Sequence, residues 1–440
     1  MNRLVKILLV LFIVFTVIPY LPEAITDLIN NKVSYAKFRI NQPIFGLNIR
    51  YVKDGLLFML MCLFVIMDAR EKKRNHLFLT YYPFLLLVIY GASVLGFFYQ
   101  RVDLFLIAAG TRSVLLFLFC LKAAKFLKSI HAFGLMKRTV TILLLVEFIV
   151  LLLQYYVYTN NYGYANPVSL RLIGTFGGIS VAGYFALGCS IFYYLLGVKL
   201  NIGVKSMIAL QTLCLLTAAF SGTRSALMGV MLVIFFSAGR RLIHGRTDRR
   251  QSLLLISLSI VIGIGLIGIS KLVNVLADRG DLLETQLESG RIELFKSLFN
   301  QNLENILFGN GIGYGTNAAV NLNRQFEAGV NAIILDGTIN SILAQYGLLV
   351  LLVAGLIYLH FLFQFVRTGR IYGFDLFAVT LVNGILMFST NIFEQGTYLL
   401  MLTISTSLAL APLHDNDKAA AKGTASPESS SERLMLAAAS

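Results

Sequence analysis

Apolar runs of roughly 20 residues alternate along the chain with short polar segments, a pattern that predicts membrane-spanning helices. About twelve such runs can be placed. They cover residues 4–22, 51–68, 77–98, 104–121, 139–158, 172–197, 204–220, 224–238, 252–270, 341–366, 374–393 and 397–413. The pattern therefore predicts an all-α, polytopic transmembrane bundle.

The connections between the runs divide into two sets by charge. One set is rich in Lys and Arg, which the positive-inside rule assigns to the cytoplasm; it comprises residues 69–76, 122–138, 198–203, 239–251 and 367–373. The other set comprises residues 23–50, 99–103, 159–171, 221–223, 271–340 and 394–396. We expect this second set to face outward, both termini to be cytoplasmic, and the first run to be a retained signal anchor.

The segment 271–340 is the one long connection, and it is charged, Asn-rich and punctuated by glycine. Apolar residues at helical spacing over 281–299 predict amphipathic helices on the membrane or bundle surface, interrupted at Ser289 and Gly290. Farther along, glycines alternate with other residues at Gly309, Gly311, Gly313 and Gly315. This alternation predicts a turn that brings the backbone close to a neighbour. We expect a large extracytoplasmic helical loop that carries the chemistry or adjoins it.

Composition supports this architecture, because 57% of the residues are hydrophobic and only 13% are charged. A soluble domain carries about twice that share of charge. The bundle is expected to span residues 1–413, with the loop inserted in it. The tail 414–440 is too polar to fold alone and is expected to be a disordered cytoplasmic segment. The net charge of +15 lies mostly in short loops, so no nucleic-acid partner is predicted.

Two charged residues fall near the middle of predicted spans, Arg112 in the fourth and Glu147 in the fifth. A charge at that depth costs about 2.5 to 3.5 kcal/mol on insertion scales. The fourth and fifth spans are antiparallel neighbours, and both residues lie at a similar depth in the membrane. We therefore predict that they pair. The pair is either a structural ion pair inside the bundle or part of a polar path for substrate or protons.

Arg224 lies at the predicted outer end between the seventh and eighth runs, with the hydroxyls of Ser221, Thr223 and Ser225 around it. It is either an interfacial arginine that reaches toward the headgroups or part of a phosphate site. The second interpretation rests on bidentate guanidinium contacts, free backbone N–H groups and the helix dipole.

Other residues in the outward-facing set are also candidates for substrate binding or catalysis. Arg171 and Arg291 each suit an anionic headgroup or an interface anchor, and Arg279 is either a solvated loop charge or a substrate contact. Asp336, followed by Gly337, is a turn or helix cap, or else a carboxylate that accepts a proton from an acceptor hydroxyl. All histidines fall on or near the predicted cytoplasmic side, and the outer loops hold no paired aspartates at metal-binding spacing. No metal or cofactor is expected, and the four cysteines, all in apolar runs, are interpreted as reduced packing residues.

Three stretches in this order resemble the bacterial O-antigen ligase and O-antigen polymerase family, membrane glycosyltransferases that use undecaprenyl-diphosphate-linked glycans. They are FSGTRSALMGV, SGRIELFKSLFNQNLENILFGNGIGYGTN and DGTINSILAQYGLLVLLVAGLIY. The resemblance covers about residues 171–393 and includes the long outer loop between the ninth and tenth spans.

The resemblance implies that Arg224 and Arg291 bind the lipid diphosphate and that Asp336 holds the acceptor-activating position. Family ligases typically carry His followed by Asn or Ser there, so the Asp-Gly of this chain favours polymerisation over ligation. The further candidates for substrate binding are Arg171, Ser221, Thr223, Arg279, Gly311 and Gly313.

The resemblance implies the function of a polysaccharide polymerase for O-antigen, capsule or exopolysaccharide, acting by a metal-independent, inverting transfer on the outer face of the bacterial cytoplasmic membrane. An O-antigen ligase is one alternative. A glycolipid flippase is another, disfavoured because the long loop lies outside and because no paired Gly- or Pro-broken spans stand out. The expected partners are a lipid-linked donor and acceptor and the membrane lipids, with a chain-length regulator as a further candidate.

Overall fold

A computed structural model describes sixteen short and long stretches of the chain. They are residues 2–17, 20–30, 52, 55–60, 62–63, 66, 91, 133–162, 172–176, 180–197, 202–243, 296, 298–315, 337–367, 371–392 and 395–410. The fourth and ninth predicted spans, most of the helices predicted over 281–299 and the tail 414–440 lie outside these residues.

All regular structure in the described residues is helical, without a strand, which confirms the all-α class for this part of the chain. The helices are α1 (Asn2–Val17), α2 (Leu21–Ile29), α3 (Phe133–Tyr162), α4 (Val181–Gly197), α5 (Val204–Phe220), α6 (Arg224–Ile243), α7 (Leu303–Phe308), α8 (Thr338–Arg367), α9 (Ile371–Ser389) and α10 (Gly396–Leu410).

Helix α4 is the centre of the described bundle, because every residue from Ala182 to Gly197 is buried. Its sequence is apolar on all sides, as a helix surrounded by protein requires. It packs against α5, α6 and α10. At Gly188 the approach of α10 is so close that an added Cβ would lie 2.7 Å from the Cβ of Met401. Small residues thus let helix backbones come together here, as is common between membrane helices.

Helix α3 has one buried and one exposed face, and the exposed face is apolar. Its exposed side chains recur every three or four residues and include Ile142, Leu145, Ile149, Leu152 and Tyr156. Helix α8 exposes a similar row, consisting of Leu349, Leu352, Leu356, Leu359 and Phe363. Continuous apolar faces of this size are rare on soluble monomers and are suited to contact with lipid.

Two described helices are long and apolar enough to cross a membrane, Gly134–Asn161 and Thr338–His360, and the bent pair Arg3–Val17 and Leu21–Ile29 is a third candidate. Shorter apolar helices include Val181–Gly197 and Lys205–Phe220. The described part of the chain is therefore compatible with a helical membrane protein.

The predicted runs match the helices to different degrees. The run 204–220 has the same bounds as α5. The predicted start of the run 172–197 is wrong, because α4 begins only at Val181 and residues 172–176 are not helical. Residue Gly347, inside the run predicted over 341–366, has φ 78° and ψ 178°, which breaks α8.

Side-chain contacts define two ends of the bundle. One end is called the Arg224 end. It contains the first residues of α4, α6, α8 and α10 and the last residues of α3, α5 and α9. The opposite end is called the Arg240 end. Contacts that fix this alignment are Tyr184 with Ser225 at the first end and Tyr194 with Asp375 at the second.

Candidate functional site at the Arg224 end

A tight reversal joins α5 to α6 at the Arg224 end. Gly222 has φ 67°, a left-handed conformation that glycine adopts without the steric penalty of a Cβ. The Oγ of Ser221 donates to the carbonyl of Ala218 at 2.7 Å and accepts from the N–H of Thr223 at 3.3 Å. The hydroxyl of Ser221, a candidate for substrate binding, is therefore used to close the turn.

The reversal places Thr223 and Arg224 at the start of α6. Thr223 is buried, and its Oγ1 has no hydrogen-bond partner in the described part of the chain. Arg224 is exposed, and no carboxylate among the described residues pairs with it. The first N–H groups of any helix lack intrahelical acceptors and carry the positive end of the helix dipole. An exposed guanidinium, a buried free hydroxyl and a helix N-terminus together can bind an anion.

Helix α4 holds this reversal in place and connects it to α10. A Cβ on Gly183 would lie 2.6 Å from the Oγ of Ser221, so only glycine allows this approach. One residue on, the hydroxyl of Tyr184 is 2.6 Å from the Oγ of Ser225. The ring of Tyr184 lies 6.0 Å from that of Tyr398 on α10. The start of α6 is therefore linked to the start of α10 by two tyrosines.

A second group of contacts lies where the glycine-rich turn meets α8. The N–H of Asn310 donates to the carbonyl of Ala344 at 2.7 Å, and the N–H of Gly311 donates to that of Gln345 at 3.1 Å. These carbonyls are free because the break at Gly347 removes their usual helical donors. The predicted close approach of the turn is confirmed, and its neighbour is the backbone of α8.

The side chain of Gln345 extends this contact toward α9 and α10. Its Oε1 accepts from the N–H of Gly313 at 2.9 Å, and its Nε2 donates to the Oγ of Ser341 at 2.6 Å. The Nδ2 of Asn391, between α9 and α10, donates to the same Oγ at 3.0 Å. The N–H groups of Gly311 and Gly313 are thus used within the protein, and contact of either glycine with substrate stays a prediction.

The start of α8 is fixed to the end of α9. The N–H and the Oγ1 of Thr338 donate to the carbonyl of Thr390 at 3.0 and 2.9 Å, and the Oγ1 accepts from the N–H of Ile392 at 2.9 Å. Gly337, with φ 103°, lies against the carbonyl of Phe388. The start of α8, which follows Asp336 in the sequence, is therefore held at the Arg224 end.

The predicted site residues divide into two groups. Those described are Ser221, Thr223, Arg224, Gly311, Gly313 and Glu147. Those outside the described residues are Arg112, Arg171, Arg279, Arg291 and Asp336, so their proposed roles and the pairing of Arg112 with Glu147 stay predictions.

A buried ion pair at the Arg240 end escaped the sequence analysis. The guanidinium of Arg240 on α6 is 2.8 Å from the Oδ2 of Asp375 on α9, and both side chains are buried. The hydroxyl of Tyr194 on α4 donates to the Oδ1 of Asp375 at 2.8 Å. The sequence feature that could have revealed this pair is Asp375 itself, which lies just inside the apolar run 374–393, where an acid needs a partner. This cluster connects α4, α6 and α9 at the end of the bundle opposite the Arg224 end.

No described group of three or more His, Cys, Asp and Glu side chains could hold a metal ion. Comparison of the sequence with models of protein families gives no match, and comparison with curated proteins gives none either. The geometry of the Arg224 end is therefore the main guide to function beyond the resemblance of the three stretches.

Proposed function

We propose that this chain is a membrane glycosyltransferase that polymerises a polysaccharide from undecaprenyl-diphosphate-linked glycans. It would cross the cytoplasmic membrane about twelve times, with both termini in the cytoplasm and the Arg224 end on the outer face. The product would be O-antigen, capsule or exopolysaccharide. The donor and the acceptor would be lipid-linked, and the transfer would need no metal.

One observation carries the proposal. The three stretches that resemble the O-antigen ligase and polymerase family are far apart in sequence, yet the start of the first, the turn 309–315 of the second and the start of the third lie at or near the Arg224 end. The turn 309–315 is hydrogen-bonded to α8, and α8 begins against the end of α9. Tyr184 and Tyr398 connect the start of α6 to α10. This grouping is what a site built from all three stretches requires.

The proposed chemistry follows from the charges in these stretches. Arg224, with Arg291 from the loop, would bind the diphosphate, which gains negative charge as the bond from the anomeric carbon to the phosphate oxygen breaks. An arginine that binds the departing diphosphate more tightly than the intact donor lowers the barrier. Asp336 would accept the hydroxyl proton of the acceptor sugar while its oxygen forms the new bond from the opposite face. The anomeric configuration is then inverted.

The substitution Arg224→Lys tests the diphosphate role, because lysine keeps the charge and loses the bidentate fork. The loss of one charge-assisted hydrogen bond, about 1.5 to 3 kcal/mol, lowers transfer about 10- to 150-fold. The assay is polymer length from purified lipid-linked repeat units and protein reconstituted in vesicles. Arg138→Lys is the matched control, since Arg138 is an exposed arginine at the Arg240 end. Equal activity of the two variants would refute the role.

Two other functions give different results in cells that lack the protein. Loss of long chains while single lipid-linked repeats persist on the outer side supports the polymerase. Long chains that stay on the lipid carrier indicate a ligase, and repeats trapped inside indicate a flippase. Gly-associated breaks do occur in the described residues, at residues 172–176 and at Gly347, but whether they lie in matching halves of a flippase stays untested.

A further inference from the structure

The side chain of Glu147 lies in the middle of α3 and has no exposed surface. Its Oε2 accepts the N–H of Thr175 at 3.0 Å and lies 2.5 Å from the Oγ1 of the same residue. Its Oε1 has no hydrogen-bond partner among the described residues. Thr175 belongs to the non-helical segment 172–176 that precedes α4. An acid group is thus enclosed at a break in a membrane helix.

The Oγ1 of Thr175 has a second oxygen beside it, the carbonyl of Val17 at the end of α1, at 2.8 Å. Both distances fall within the range of a direct O–H···O hydrogen bond, which weakens steeply when the hydrogen points away from its acceptor. A threonine hydroxyl carries only one hydrogen. Two short contacts from one hydroxyl to two acceptors therefore require a second hydrogen.

The second hydrogen must come from the carboxyl group, because the carbonyl of Val17 has none to give. If Glu147 were ionised, Thr175 would donate to it through a short, charge-assisted bond. The Oγ1 and the carbonyl oxygen of Val17 would then lie 2.8 Å apart without a hydrogen between them. If Glu147 is protonated on Oε2, it donates to the Oγ1, which donates in turn to Val17.

The surroundings hold this arrangement in place. The amide of Gln154, also on α3, accepts the N–H of Gly174 at 3.0 Å and donates to its carbonyl at 3.2 Å. Gly174 has φ 58°, and a Cβ there would overlap the Oε1 of Glu147. Backbone that leaves the helix at membrane depth must find such partners within the protein. The carboxyl group and the segment are therefore fitted to each other.

Few other titratable groups face this carboxyl group in the described part of the chain. They are the thiols of Cys189 on α4 and, next to it, Cys214 on α5. No basic side chain of the described helices lies against it. A buried carboxylate without a cation, and with one oxygen unpartnered, is strongly disfavoured relative to the neutral acid.

We propose that Glu147 is a proton-binding site inside the membrane part of the protein, with the proton on Oε2 and donated to Thr175. Loss of this proton would turn the hydrogen of Thr175 toward the carboxylate and remove its bond to Val17. The site thereby couples proton occupancy to the contact between segment 172–176 and the end of α1. The inference is independent of the proposed glycosyltransferase activity. It also opposes the sequence-based pairing with Arg112, which requires an ionised Glu147.

Infrared spectroscopy tests the proposal directly. The full-length protein in lipid nanodiscs at neutral pH should show a carboxylic acid C=O stretching band that shifts in D2O and is lost in Glu147→Gln. Glu304→Gln is the control, because Glu304 is exposed and its removal should leave the band unchanged. Absence of a band that depends on Glu147 would overturn the proposal.

A second set of variants keeps the test decisive should Glu147→Gln not fold. Thr175→Val removes the oxygen that accepts the acid proton, so the band should move to higher frequency, whereas Thr175→Ser should leave it in place. Arg112→Gln should not change the band. A carboxylic acid band that appears only in Arg112→Gln would show that Glu147 is ionised and paired in the native protein, and would refute the proposal.

Discussion

The substitution Gly347→Ala should detach the glycine-rich turn 309–315 from α8. Gly347 combines φ 78° with ψ 178°, a region open in practice only to glycine, where another residue costs about 1 to 3 kcal/mol. An added Cβ would overlap the carbonyl group of Leu307 and lie 2.6 Å from the backbone nitrogen of Gly309. These are backbone atoms, so no side-chain rotation relieves the overlap. The variant must either strain α8 or straighten it.

The expected size of the effect follows from the contacts that a straight α8 would lose. A continuous helix would use the carbonyls of Ala344 and Gln345 internally, and these now accept the N–H groups of Asn310 and Gly311. Each hydrogen bond contributes about 0.5 to 1.5 kcal/mol. The docked turn should lose about 1 to 3 kcal/mol, either as strain in a bent α8 or as these two hydrogen bonds in a straight one.

Hydrogen exchange read by mass spectrometry measures this loss. Peptides that contain Asn310 and Gly311 should be protected in the native protein and should exchange at least about 5-fold faster in Gly347→Ala, since about 1.4 kcal/mol corresponds to tenfold. Gly355→Ala is the matched control, because a Cβ there meets nothing within 4 Å and alanine favours the helix. Equal protection of the turn in both variants would refute the reasoning.

Two further substitutions test the packing at each end of the bundle. Arg240→Gln should lower stability by about 3 to 5 kcal/mol, because it removes the guanidinium that pairs with the buried Asp375. In thermal unfolding in detergent, the double variant with Asp375→Asn should recover part of that loss. Equal melting temperatures of the native protein and the single variant would contradict this prediction. Gly183→Ala should lower stability by about 1 to 3 kcal/mol through overlap with Ser221, whereas Gly239→Ala, with open space around its Cβ, should not.

Hydropathy predicted helices well where an apolar run ends at polar residues on both sides, as for 204–220 and α5. It failed at 172–176 because an apolar segment gives the same signal whether it is helical or is irregular backbone buried among helices. The structure distinguishes the two by the partners that Glu147 and Gln154 on α3 provide. Those residues lie in a different run, and nothing in the segment itself identifies them.

The candidate site shows the same limit. The alternating glycines indicated a close approach, and that much is confirmed. The partner, Gln345, is more than thirty residues away in a segment that reads as an ordinary span, so only the fold reveals it. Similarly, the Asp375 of the buried ion pair lies at the edge of a run whose basic flank resembles any cytoplasmic loop. Sequence patterns indicate which segments are unusual, whereas tertiary structure determines which of them meet.

Both described breaks fall in the half of the bundle nearer the Arg224 end, and they are stabilised in different ways. At 172–176 the irregular backbone is held by side chains of α3, including an acid that we infer to be protonated. At Gly347 the freed carbonyls of α8 are satisfied by backbone N–H groups of the turn 309–315. A motion that lifts this part of the loop from the bundle must leave two carbonyls of α8 without donors, unless the helix straightens at Gly347. Opening of the loop and straightening of α8 should therefore occur together. In the proposed polymerase, the conformation of α8, which follows Asp336 in the sequence, would therefore control whether substrate can reach the site.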